Sequence, residues 1–279
     1  MSNRHRPFAG AKQRHANLRR IRQAFSQDAL RRICQMDEVD FATAFDMEVV
    51  PVAQRAPSDF YYYRNNNSNV LAVAHLDTVV EAEFRQCNFL NTAGGPVVYS
   101  PALDDRLGAY IILDLLPKLG ITYDVLLTVG EESGESTAQF FDPQKEYDWI
   151  IEFDRGGTDV VMYQYDDEDT RDLVRATGAF VGEGSFTDIC YLEHLGVKAF
   201  NWGVGYQDYH STRSHAYLDD TFAMVEHYLS FHATNAGVAM PHSEMDRWWG
   251  SSYAEPWRWG DSEDPEDVDM LQDEVALGP

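Results

Sequence analysis

Residues 71–79 read LAVAHLDTV, and residues 100–108 read SPALDDRLG. The first is an apolar run of strand length that ends on His75, with Asp77 two residues further on. The second is a loop with paired aspartates, Asp104 and Asp105, just ahead of a helical pattern. A run with no polar alternation fits a strand covered on both faces, as in a sheet between two layers.

The flanking sequence repeats this theme. Residues 12–35 place Leu18, Ile21, Phe25, Leu30, Ile33 and Cys34 at helical spacing, which predicts one or two amphipathic helices. Residues 47–52 and 59–64 read as strands, the latter with the run Phe60–Tyr63. Asn65 to Ser68 reads as a turn, so a hairpin into the strand 70–74 is expected. Residues 81–99 look irregular except for a short strand at 97–99. A buried helix is expected over 106–119, with Pro117 in its last turn and Gly120 as its stop. Strands follow at 123–129, 149–153, 160–163 and 197–202, with helices at 133–140, 187–195 and 221–236. Apolar strands alternating with helices predict a three-layer α/β/α sandwich around a mixed, mostly parallel sheet. Three regions are expected: a basic helical extension at 1–40, one catalytic α/β domain at 41–242, and an acidic, tryptophan-containing tail at 243–279.

Bulk composition narrows the function classes. With 44% hydrophobic residues among 279, the chain can bury a substantial core. A net charge of −24 argues against nucleic acid or an anionic membrane as partner. No run approaches the roughly 18 apolar residues of a membrane span, and no secretory signal is expected. Cys34, Cys87 and Cys190 are scattered and odd in number, so they read as reduced thiols of a cytoplasmic protein. The basic start and acidic end could pair within or between subunits, which leaves a homo-oligomer open.

In sheets of this kind, ligands sit beyond the carboxyl ends of the strands. His75, Glu131, Glu132 and Asp154 fall at those ends, and His210 lies on a loop after the strand at 197–202. Each has a plainer reading alone: a structural histidine, an N-cap pair at Asp104–Asp105, a solvated glutamate loop, an Asp154–Arg155 ion pair. Together, two histidines and several carboxylates suit two divalent ions, Zn²⁺ or else Co²⁺ or Mn²⁺. A bridging carboxylate would hold the ions about 3.5–4 Å apart, and a metal-bridging hydroxide would attack a carbonyl. A carboxylate beside the ions, one of Glu131 and Glu132, would then carry the proton from water to the leaving group.

The ordered series LAVAHLDTV, SPALDDRLG, LLTVGEESGES (126–136), WIIEFDRGG (149–157) and GYQDYHSTRSHAYLDD (205–220) resembles the co-catalytic zinc exopeptidase superfamily over residues 70–236. The resemblance implies metal ligands at His75, Asp104, Glu132, Asp154 and His210, with Asp104 as the bridge and His215 as the rival of His210. It implies Glu131 as general base, Asp77 as the residue that orients His75, and a cis peptide at Asp104–Asp105. Tyr206, Tyr209, Arg213 and Asp188 (the last in the loop GSFTDI, 184–189) become candidate substrate contacts, with a helix N-cap as the plainer reading of that loop. The intervals from Asp77 to Asp105 and from Asp154 to His210 are too short for an inserted domain of about a hundred residues, so a minimal single-domain form is expected. The implied activity is aminopeptidase action on peptides. The rivals are an N-acyl amino acid deacylase or dipeptidase using the same site, and a non-catalytic metal-binding protein on the same scaffold.

Overall fold

The computed structural model describes residues 7–52, 59–81 and 85–243; the expected acidic tail beyond residue 243 lies outside them. The chain opens with helices α1 (Pro7–Ala24), α2 (Gln27–Gln35) and α3 (Phe41–Phe45) and strands β1 (Glu48–Pro51), β2 (Phe60–Arg64) and β3 (Val70–His75). A hairpin, β4 (Asn88–Thr92) and β5 (Gly95–Tyr99), leads into helix α4 (Leu103–Tyr110), a π-helical turn (Ile111–Leu115) and α5 (Leu116–Lys118). Strands β6 (Asp124–Thr128), β7 (Trp149–Glu152) and β8 (Asp159–Val161), helix α6 (Glu168–Thr177) and strand β9 (Phe180–Val181) follow. The domain closes with β10 (Ala199–Trp202), β11 (Tyr206–Gln207), β12 (His215–Tyr217) and helix α7 (Leu218–Asn235).

The main sheet has eight strands in the order β1-β2-β6-β3-β7-β10-β8-β9. Its four central strands, β6, β3, β7 and β10, are mutually parallel, and the antiparallel pairings lie outside them. This is the expected three-layer α/β/α sandwich. Every residue of β3, β6, β7 and β10 is buried, which is why these strands read as mainly apolar runs. Alternation sorts the two faces of β7. Trp149 and Phe153 meet Phe231 and Tyr228 of α7, whereas Glu152 points to the other side. Helices α1 and α2 pack on the domain through the buried Ile21, Leu30, Ile33 and Cys34.

Several local expectations are corrected. Strand β2 forms no hairpin with β3; it pairs antiparallel with β6, which separates the two. The turn at 65–68 exists, but it wraps a side chain of β6. Asp124 Oδ1 accepts the backbone N–H groups of Asn66 at 2.8 Å and Ser68 at 3.0 Å. Its Oδ2 accepts from Lys145 at 2.6 Å, Tyr63 at 3.0 Å and Tyr147 at 3.2 Å. Residues 88–99 are not irregular. They form the β4–β5 hairpin of a second, antiparallel sheet ordered β11-β12-β5-β4. The helices expected at 133–140 and 187–195 are 3₁₀ turns, Thr137–Phe140 and Asp188–Leu195.

Asp124 offers a test of this packing. Burial works against its charge, but Lys145 and the two backbone donors outweigh that and keep its pKa below the usual carboxylate value. Its stabilisation is therefore fully present above the unfolded pKa of about 4 and is lost as pH falls through the lower folded value. Asp124→Ala should destabilise the chain by about 3 kcal/mol at pH 7 in urea unfolding, because it orphans several buried donors. The gap between variant and parent should narrow towards pH 2–3.

Candidate metal centre

The carboxyl ends of β3, β6 and β7 lie side by side, since these strands are parallel and adjacent. His75 is the last residue of β3, the loop holding Glu131 and Glu132 follows β6, and Asp154 follows β7. Asp104 enters from the start of α4, where it and Asp105 have non-helical backbone angles and a cis peptide between them. His210 arrives on the loop between β11 and β12, in the left-handed conformation (φ 58°).

These residues converge on Asp104. Its Oδ1 lies 3.0 Å from His75 Nε2, and its Oδ2 lies 3.2 Å from His210 Nε2. Glu132 Oε2 is 2.9 Å from the same His210 nitrogen. Asp154 Oδ1 and Glu131 Oε2 stand 3.7 Å and 3.8 Å from His75 Nε2. Two groups could each hold a divalent ion: His75, Glu131 and Asp154, and His75, Asp104 and Glu132, with ligand atoms within 4.8 Å of one another in each. Glu131, expected as base, thus stands within ligating reach.

The other nitrogen of His75 fixes the ring. Nδ1 lies 3.0 Å from the carbonyl oxygen of Asp77 and 3.6 Å from its Oδ1. The Asp77 carboxylate accepts the backbone N–H groups of Glu131 at 3.3 Å and Glu132 at 3.1 Å. One residue therefore ties the His75 strand to the glutamate loop. The alternative readings resolve separately. Asp105 does cap α4, its Oδ1 accepting the Gly108 N–H at 3.1 Å. Position 108 must be glycine for this, since a Cβ there would sit 2.3 Å from that oxygen. Arg155 does not pair with Asp154; it forms a two-point contact with Asp159, at 2.6 Å and 3.0 Å. His215 stacks on Tyr99 and bonds the Arg213 carbonyl.

The candidate substrate contacts divide. Tyr209 and Arg213 are exposed beside His210. Tyr206 is buried and donates to Asp154 Oδ1 at 2.6 Å. Asp188 is fully buried and accepts from the Thr128 hydroxyl. The N-cap reading of its loop is not met, because Thr187 makes no capping bond.

Electrostatics favour a cation here. Burial opposes protonation of His75, yet Asp154 and Asp104 outweigh it and lift the pKa well above 6.5. His210 is raised as well, chiefly by its contact with Asp104. Burial, partly offset by His75 and reinforced by Asp154, pushes Glu131 up to about 9. Burial and then Asp104 push Glu132 to about 7. Glu132 Oε1 is buried with no hydrogen-bond partner. Carboxyl groups driven to hold protons by one another, with an orphaned oxygen among them, fit a place where divalent ions supply the missing positive charge.

Sequence reasoning missed Glu152 and Thr187. Thr187 Oγ1 lies 2.7 Å from Glu152 Oε2 and 3.0 Å from Asp154 Oδ2. A hydroxyl has one hydrogen, so one of the two carboxyl groups must supply another. Glu152 is fully buried, its Oε1 has no partner, and burial followed by Asp154 and Asp188 raises its pKa strongly. The geometry and the direction of this shift fit Glu152 as the group that carries the second proton. The available signal was an ionisable residue inside the apolar run WIIEF.

In sequence, no family model and no curated protein matches the chain. Solved structures do match. A tripeptidase from Staphylococcus aureus superposes with a TM-score of 0.53 at 12% identity, over 78% of this chain and 98% of that one. Aminopeptidase PepT from Bacillus cereus gives a TM-score of 0.54 at 12% identity, over 75% and 100%. At this identity the likeness establishes a shared fold. Among the described residues, no helix is long and apolar enough to cross a membrane.

A neutral Glu152 predicts that Glu152→Gln melts at the parent's temperature, the amide N–H₂ replacing the acid as donor to Thr187. Glu152→Leu should be less stable by about 1–3 kcal/mol, because it strands the Thr187 hydroxyl. A loss of that size in Glu152→Gln would mean that the glutamate is held as an anion.

Proposed function

We propose that the chain is a two-metal hydrolase of amide bonds, and that its activity is removal of N-terminal residues from peptides. The observation that carries this is Asp104, which presents one oxygen to each of two imidazoles, with Asp154 on one side and Glu132 on the other. The fold shared with a tripeptidase and an aminopeptidase supports it.

In this reading His75 and Asp154 would hold one ion and Glu132 and His210 the other, with Asp104 placed to contribute to both. Zinc suits the donor set best, with cobalt or manganese able to replace it. The ions would supply the positive charge that polarises the scissile carbonyl and acidifies water. Glu131 is the general base: the ions' positive charge would bring its raised pKa back down, and the carboxylate then takes a proton from water and returns it to the leaving amine. Its carboxylate is 3.8 Å from the nearest imidazole nitrogen, whereas that of Glu132 is within 2.9 Å of one. Asp77 keeps this division of labour in register, since its carboxylate holds the backbone of both glutamates and its carbonyl faces His75.

Arg213 motivates a second reading. It is exposed three positions after His210, where a guanidinium could hold a free carboxylate. That would suit an N-acyl amino acid deacylase or a dipeptidase. Aminoacyl-anilides tested beside N-acyl amino acids and dipeptides on the zinc-loaded chain separate the readings. Hydrolysis of anilides is expected, and inertness towards all three classes would contradict the proposal. Glu131→Ala should keep its metal and lose about 10²–10⁴-fold in kcat. His210→Ala should lose one ion. Near-parental turnover in Glu131→Ala would remove that residue as the base.

A further inference from the structure

We infer that Thr187 and Tyr206 are positioning residues, which hold the Asp154 carboxylate in the single orientation that serves an ion beside His75. The inference rests on the two-metal reading above and deepens it.

Both oxygens of Asp154 are engaged. Tyr206 donates to Oδ1 at 2.6 Å, and Thr187 lies 3.0 Å from Oδ2. The backbone behind the carboxylate is fixed too. The Asp154 N–H donates to Asn201 Oδ1 at 3.0 Å, and Asn201 Nδ2 donates to the Asp154 carbonyl at 2.7 Å. Glu132 differs in kind, since one of its oxygens has no partner.

Neither hydroxyl can be a substrate contact in this arrangement. Thr187 is 1% exposed and Tyr206 3%. Thr187 occupies the N-cap position of the 3₁₀ turn Asp188–Leu195, yet its side chain makes no capping bond and turns to the carboxyl groups instead. Tyr206 is brought in by close backbone contact. A Cβ on Gly156 would fall 2.9 Å from the Tyr206 carbonyl and 3.4 Å from its ring. Strand β11 can therefore press against the loop that follows Asp154.

The donors are also of the right charge. Two neutral hydroxyls orient a carboxylate without cancelling its charge. The nearest guanidinium in sequence, Arg155, is drawn away by Asp159. The Asp154 carboxylate is thus aimed by two neutral donors, and its rotation is restricted before a cation arrives. Outer partners of this kind typically change metal affinity by about 10–100-fold.

The test is a calorimetric titration of the chelator-treated full chain with Zn²⁺, run on the parent, Thr187→Val, Thr187→Ser and Tyr206→Phe. Thr187→Val and Tyr206→Phe should each weaken one of the two binding events by about 10–100-fold. Thr187→Ser should restore it. Metal-free Thr187→Ser and Tyr206→Phe should unfold at the parent's temperature, and metal-free Thr187→Val should unfold lower, since it strands the buried Glu152 carboxyl. Parental zinc affinity in both Thr187→Val and Tyr206→Phe overturns the inference. So does a fall in the melting temperature of metal-free Tyr206→Phe large enough to account for its lost affinity. A parent that binds no zinc overturns the inference and the two-metal reading together. If the parent binds zinc but hydrolyses no amide, only the catalytic reading fails, and the titrations still decide this one.

Discussion

A single carboxylate, that of Asp104, lies between two imidazoles, and the fold is arranged so that it can. His75 comes from the end of a buried parallel strand and His210 from a loop attached to a different sheet. Asp104 stands at the start of a buried helix that packs on β3. Holding so many acids together out of water is unfavourable unless positive charge accompanies them. The two histidines supply part of that charge. Burial and the neighbouring carboxylates raise the pKa values of Glu131, Glu132 and Glu152, a strain that further positive charge would relieve.

Parallel pairing makes the convergence inexpensive. Adjacent strands running the same way deliver their following residues to one edge, so three loops meet there without any long excursion. The layers beneath then secure individual groups. Asp77 couples two of the loops, Asp105 caps the helix behind Asp104, and Asn201 clamps the backbone at Asp154. The fold is held by tripeptidase and aminopeptidase structures at only 12% identity, so architecture alone says little about chemistry.

How much of this could be read from the sequence depended on burial. Strands β3, β6, β7 and β10 were legible because both faces are covered, which leaves mainly apolar runs. The second sheet was legible only at 97–99, because its strands are short, β4 is largely exposed, and they owe their existence to pairing. The β2–β3 hairpin was misjudged for a related reason. Neighbours in sequence usually pair, but Asp124 of β6 takes the donors of the intervening turn. Residues immediately after strands stood out as acids and histidines in the wrong company. Thr187 carried no such mark, and Tyr206 stood out only as a candidate substrate contact near His210, since the role of a hydroxyl becomes clear only when its carboxylate partner is known in space.

Two divalent ions are what the proposed function requires of this cluster. Elemental analysis of the full chain, stripped with chelator, reloaded with zinc and desalted, measures them most directly. The account predicts two zinc ions per chain in the parent, and one in His210→Ala. A parent chain that retains none after reloading would contradict it.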